Sequence, residues 1–402
     1  CSRNLYPHGG GSVLRRLDAG SKRRTPRLLW LLLGLVAVLA LVAAGCGGDD
    51  EEGGGGDGPI WVLLPDSATS PRWESDDRRY FEEAFKAADV EYNIVNAEND
   101  ASQQQSQAEQ AISDDASVIL FVSIDTGSGA TIIDTAKDAD VPIIEYDRFN
   151  TGGSGGAAYV SFDNVKVGQE MGTTLEPVID ALGKPKPRVV MLNGGEEDNN
   201  SFLFRTGYYE TVKPKVDAGE WELVADRHVP GWDNQTAQTI MEQILTGADN
   251  KVDAVFAAND GLANSAINAM EAAGITKAPV SGQDATEAGI QNILLGKQTM
   301  TVYKPIQSEA GLAAAVALAL RNGDDLASVE YEADFDLIGI KTEDGNPSDA
   351  AEGEGVVPYF ALTPIGVTAD NIADTVIKDG FRTVAEVCKG DTAQTDFCKE
   401  QS

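Results

Sequence analysis

From residue 60 onward, short apolar runs alternate with longer stretches whose apolar residues recur at helical spacing. The runs at 60–64, 92–95, 118–122, 141–146 and 158–162 predict strands, and 73–88 and 103–112 predict helices between them. The rhythm restarts at 189–192 and continues through 222–229, 254–258, 280–282 and 301–303, again with helical stretches between. Alternation of this kind builds a parallel sheet with helices on both faces. Two successive sets therefore predict an α/β fold of two similar, doubly wound parallel-sheet lobes. An Ala/Leu-rich helix at 312–320, an acidic surface loop at 341–355, an apolar run at 356–362 and a helical stretch at 368–381 close the pattern.

The segment 252–305 shows how chemistry is distributed on this frame. Its first strand ends on Asn259 and Asp260, its second on Gln283 and Asp284, and Lys304 follows its third. Amides, carboxylates and an ammonium are thus gathered where open α/β sheets hold small ligands. Similar groups end other strands: Asp66, Ser123 and Asp125, Asp147 and Arg148, and Asn193. Any one of them could simply be a turn or helix N-cap residue. As a set they converge where two sheets would face each other across a cleft.

Planar groups such as Asp, Asn and Arg can each grip two neighbouring hydroxyls of a polyol, and aromatic rings pack on the C–H faces of its ring. Trp73 and Trp232 lie in polar, loop-like surroundings rather than in apolar runs, although core filling would also explain either one. Adjacent Asp147 and Arg148 are expected to neutralise each other. The stretch 194–205 offers Asp198, Asn199, Asn200 and Arg205 beside a helix start, without the ligand spacing of a calcium loop. TGGSGG at 151–156 lacks the Lys and Ser/Thr of a phosphate-binding loop and is expected to be a flexible connection.

Composition narrows the possible functions. The 402 residues carry a net charge of −33, which disfavours a nucleic-acid partner. With two histidines and four cysteines that form no CxxC pair, a zinc site or histidine-based triad is not expected, and no metal or cofactor is assigned.

At the N-terminus, Lys22, Arg23, Arg24 and Arg27 precede an apolar run at 28–45 and then Cys46. The pattern resembles a bacterial lipoprotein signal, with Ala43 in place of the usual leucine, and implies lipidation of Cys46. A plain transmembrane anchor is the alternative, because the run is just long enough to span. Residues before the basic cluster carry no fold signal, so a translation start nearer Val13 is expected. The low-complexity stretch 47–58 reads as a flexible acidic tether with a reach of roughly 20 Å. In an exported chain, Cys388 and Cys398 are expected to form a local disulfide.

IIEYDRFN, YVSFDNVKVGQ, MLNGGEEDNN with FRTGYYE, VPGWDNQTA, AVFAANDG, VSGQDATEAGI, GKQTMTVYKP and LTPIGVTADNIADTVIKDGF resemble the bacterial D-xylose-binding proteins. These are type I periplasmic sugar-binding proteins of ABC importers, and the likeness runs from residue 60 to about 381. It implies two lobes joined by a three-strand hinge that close on one monosaccharide. The implied contacts are Arg72, Asp147, Arg148, Asn199 or Asn200, Asn259, Asp284 and Lys304, with Trp73 and Trp232 sandwiching the ring; Asp260 is added from its place at a strand end. The loop after the first strand aligns poorly, Pro230 stands where an aspartate is usual, and the stretch 341–355 is longer than in the family.

The expected organisation is a signal segment at 1–45, the lipidated cysteine and tether at 46–58, and a disulfide-closed tail at 388–402. The first lobe is expected to comprise 59–162 and 304–335, and the second 163–303 and 336–387. The expected function is that of a monomeric, extracytoplasmic, lipid-anchored receptor that delivers D-xylose to an ABC permease and its ATPase. Ribose, arabinose or glucose is the alternative ligand. A glycoside hydrolase on the same lobes, using two of Asp147, Asp260 and Asp284, is the enzymatic alternative. A DNA-binding regulator would need a basic helix-turn-helix where the export signal stands.

Overall fold

At the centre of the first lobe, the strands 60–64 and 118–121 are apolar on both faces, and both faces are buried. β1 (Ile60–Leu64) sends Ile60, Val62 and Leu64 into one core and Trp61 and Leu63 into another, as the two-residue period of a strand requires. The computed structural model describes residues 56–67, 70–331, 333–339 and 356–401. A helical turn at Trp73–Asp77 leads into α1 (Arg78–Ala87), followed by β2 (Tyr92–Asn96), α2 (Ala101–Ser113), β3 (Val118–Phe121), α3 (Thr126–Asp138), β4 (Ile143–Tyr146) and β5 (Ala158–Phe162). The second lobe continues with α4 (Asn164–Asp180), β6 (Arg188–Asn193), α5 (Asn199–Asp217), β7 (Glu222–His228), α6 (Asn234–Gly247), β8 (Ala254–Ala257), α7 (Asp260–Ala272) and α8 (Glu287–Leu294). After β9 (Thr301–Tyr303) come α9 (Ile306–Asn322), β10 (Asp334–Gly339), β11 (Val356–Leu362), β12 (Ile365–Val367), α10 (Val384–Val387) and α11 (Asp396–Glu400).

The first sheet has the order β10-β11-β5-β4-β3-β1-β2 and is parallel except where β10 meets β11. The second has the order β7-β6-β8, extended by isolated bridges from Val255 to Val280 and from Gln283 to Val302. A β9–β12 ribbon lies at the join, with Val302 in the core of the second lobe and Tyr303 and Val367 in that of the first.

One expected assignment is corrected. The segment 336–387 was expected whole in the second lobe, but β10 and β11 join the first sheet, β11 pairing in parallel with β5, while the stretch after β12 packs on α8, where Gln291 donates to the Glu386 carbonyl and Arg382 to that of Ala285. Pairing between strands so distant in sequence leaves no local signature, whereas the free edge of β5 offers β11 a complete ladder of backbone partners. The signal segment, Cys46, most of the tether and the loop 341–355 lie outside the described residues. Cys388 and Cys398 form a disulfide in the tail. Among the described residues, no helix is long and apolar enough to cross a membrane, and no group of three or more His, Cys, Asp or Glu could hold a metal ion.

Candidate ligand-binding site

The polar residues that end the strands surround a cavity of about 40 Å³ between the lobes. Ser70, Arg72 and Trp73 reach it from the loop after β1, and Asp147 and Arg148 follow β4 directly. Across the cavity stand Asp198, Asn200 and Phe204 from the start of α5, and Trp232 just after β7. Asn259, Gln283, Asp284 and Lys304 complete the lining.

Asp147 is the centre of the charge arrangement. It is 3% exposed, and its Oδ2 accepts from Arg72 Nη1 and from Lys304 Nζ, both at 3.0 Å. Asn200 of the other lobe donates to its Oδ1 at 3.1 Å and to its carbonyl at 3.0 Å. Burial alone would raise this carboxyl, but Lys304, Arg72 and Arg148 together hold it well below the usual carboxylate range. Arg72 is pinned further by Asp77 at 2.9 Å and Glu309 at 3.0 Å. Burial opposes its charge, yet the three carboxylates hold the guanidinium well above its ordinary value. Asp77, Asp198, Asp284 and Glu309 are all shifted upward, in each case chiefly because burial penalises the anion.

Arg148 stabilises the Asp147 charge as expected, but its direct ion pair is a contact between lobes. Arg148 Nε meets Asp198 Oδ2 at 3.0 Å, and its Nη1 donates to the Ser123 carbonyl at 3.0 Å. The cause is the backbone: Asp147 has φ 60°, which turns the two neighbouring side chains in different directions. Positive φ also occurs at two other residues of the cavity lining, Trp232 and Asp284.

Asp198 is also the N-cap of α5 and accepts from Trp232 Nε1 at 3.1 Å. The indole lies so close to Gly194 that a Cβ there would come within 2.1 Å of it. On the opposite wall, the guanidinium of Arg72 stacks 4.1 Å from the Trp73 ring centroid.

Of the anticipated residues, Arg72, Trp73, Asp147, Arg148, Asn200, Trp232, Asn259, Asp284 and Lys304 line the cavity, whereas Asn199 and Asp260 do not. Asn199 precedes Asn200 by one helical position, about 100° around α5, so the two cannot share a direction. Asp260 turns toward α8 and β9, where it accepts from Thr286 N at 2.8 Å, Gln298 Nε2 at 2.7 Å and Thr301 Oγ1 at 2.8 Å. Asn259 lines the cavity while capping α7 through Leu262 N. Ser70 and Phe204 were not anticipated. Phe204 lies one helical turn after Asn200, a spacing that could have nominated it.

The match to the periplasmic binding protein domain spans residues 61–325. The chain is 36% identical over 324 residues to the D-xylose-binding periplasmic protein of Escherichia coli, covering 80% of this chain and 90% of that protein. It is 35% identical over 322 residues to the protein of the same name from Haemophilus influenzae, covering 80% and 90%. An ABC transporter solute-binding protein from Clostridium phytofermentans, solved with β-D-glucose bound, superposes with a TM-score of 0.70 at 28% identity, covering 82% of this chain and 99% of that one. With the two-lobed parallel architecture and its cleft, these similarities establish that the chain belongs to the periplasmic binding protein family.

Proposed function

We propose that this protein is an extracytoplasmic receptor that captures one monosaccharide, D-xylose by preference, and delivers it to an ABC permease and its ATPase. The observation that carries the reading is the composition of the cavity wall. Planar hydrogen-bonding groups (Arg72, Asp147, Arg148, Asn200, Asn259 and Asp284) converge from both lobes beside Trp73 and Trp232. Neutral polyols are gripped by groups of this kind, and aromatic faces accept the C–H face of a sugar ring. Relatives named for D-xylose binding support the pentose, and the solved structure holding β-D-glucose makes glucose the first alternative.

Closure follows from the division of contacts. A sugar held by Asp147 and Arg148 on one side and by Asn200 and Asn259 on the other gains both sets only when the lobes meet, so ligand shifts the population toward the closed form. The chain then works as a monomeric receptor rather than an enzyme, tethered to the outer face of the cytoplasmic membrane through a lipid on Cys46. The test is calorimetric titration of residues 57–402 with D-xylose, D-glucose, D-ribose and L-arabinose, with the sugar recovered afterwards and checked for change. Binding of xylose ahead of the others, with unaltered sugar returned, supports the proposal. Preference for another sugar overturns the ligand, and no response to any sugar overturns the receptor reading.

A further inference from the structure

The glycine-rich run 151–156 has no part in the proposed contacts, yet it continues the loop that carries Asp147 and Arg148. Glu145, in β4, anchors that loop from beneath and is wholly buried. Its Oε2 accepts from the Asn150 backbone N–H at 2.7 Å and from the Asn150 side-chain amide at 2.9 Å. Its Oε1 accepts from the Gly156 N–H at 2.9 Å. A single carboxylate therefore ties together both ends of the stretch 150–156.

Asn150 is also buried, and it packs so closely on α3 that a Cβ on Gly129 would come within 2.0 Å of its Oδ1. The outer part of the loop is held by α3. Asp134 accepts from Ser154 N at 3.1 Å and Ser154 Oγ at 2.6 Å, while Lys137 Nζ donates to the Ser154 carbonyl at 2.7 Å. Arg148 lies between the anchors at Glu145 and Asn150 and spans to Ser123 and Asp198. Burying a carboxylate is unfavourable unless its oxygens are satisfied, and three N–H donors suit an anion better than an amide, which offers one oxygen and presents its own N–H₂.

We propose that Glu145 is a positioning residue for ligand capture, fixing through Asn150 and Gly156 the loop that directs Arg148 into the cavity and onto Asp198. The proposal rests on the sugar-binding reading above. Burial raises the Glu145 carboxyl to about 7, against the lowering effect of its three donors and of Lys137. The charge that acts on it is Lys137 from α3, and Tyr159 from β5 lies in register with it. Because the buried site favours the neutral carboxyl over the anion, ionisation at alkaline pH costs the anchored loop more than a freed one, and acidification favours the anchor.

Wild type and Glu145→Gln are titrated with D-xylose and D-glucose between about pH 6 and about pH 8.5, and amide exchange is followed at Asn150 and Gly156. Leu245→Ala, buried on α6, is the control for stability lost elsewhere. The expected result is about tenfold weaker binding by Glu145→Gln at the alkaline end, the scale of one lost hydrogen bond to a charged group. Wild-type affinity should rise with acidification through about pH 7, because the anchored carboxyl holds its proton more readily than a freed one, while the variant's stays flat. Exchange should rise at both amides in Glu145→Gln, and Leu245→Ala should keep wild-type affinity. A Glu145→Gln protein with wild-type affinity and pH profile overturns the positioning role, and unchanged exchange overturns the anchoring itself. A wild type silent toward every sugar removes instead the reading on which the proposal rests.

Discussion

Replacing Asp147 by Asn tests the charge arrangement directly, because Asn keeps the size of the side chain and tolerates the left-handed backbone at φ 60°. Only the charge and part of the acceptor capacity are lost. Arg72 would keep Asp77 and Glu309, but Lys304, 3% exposed, makes its one ion pair among the described residues with Asp147. At 3.0 Å the gross attraction is about 5 kcal/mol for an effective dielectric constant near 20. Most of it offsets desolvation, so the relevant quantity is the cost of a buried cation left with longer-range charges such as those of Asp284 and Glu309, at the lower end of the about 3–5 kcal/mol of a broken buried pair. Because the Asn oxygen still accepts one hydrogen bond, we expect a loss of about 3 kcal/mol in urea unfolding of residues 57–402 at neutral pH. Adding Lys304→Met to Asp147→Asn should recover about 1–2 kcal/mol, since the orphaned charge is then gone. A single-variant loss below about 1 kcal/mol, or a double variant less stable than Asp147→Asn alone, would refute this account of Asp147.

Three further outcomes follow from other contacts. Gly194→Ala would force the Trp232 indole from its place, so sugar affinity and tryptophan emission should both change; a variant unaltered in both would sink the argument. Burial raises the Asp260 carboxyl to about 6, above its ordinary 3.8, so its contribution to stability is present at acid pH and lost as pH rises through about 6. Relative to Asp260→Asn, the wild type should therefore lose about 2 kcal/mol between about pH 4 and about pH 7, and a difference in unfolding free energy independent of pH would contradict it. Reducing Cys388–Cys398 should cost about 2–3 kcal/mol in the chain-entropy model, read as a lower melting temperature in the presence of a thiol, and an unchanged melting temperature would count against the staple.

Much of the frame was legible because its signals are local. Strands buried on both faces must be apolar throughout, as 60–64 and 118–121 are, and the polar residues that interrupt them mark the sheet edge where the cavity forms. Trp73 and Trp232 stood out by their polar neighbours, and both line the cavity. The choice within adjacent pairs was not legible. Asn199 against Asn200 and Asn259 against Asp260 differ by one helical position or by which neighbour caps the helix, and composition is blind to that rotation.

By itself, then, the sequence determined the alternation of strands and helices, the doubling into two lobes and the strand ends that carry polar groups, since each depends on periods of two to four residues. Only the tertiary structure decided that β11 joins β5, that the direct ion pair of Arg148 goes to Asp198, and that Asp260 clasps α8 and β9. Those outcomes depend on which distant groups arrive within hydrogen-bond reach and on one left-handed residue, Asp147, that redirects the chain. Contacts of that kind are set by packing across the whole molecule, where the cost of burying an unpaired charge selects among partners that look equivalent in sequence.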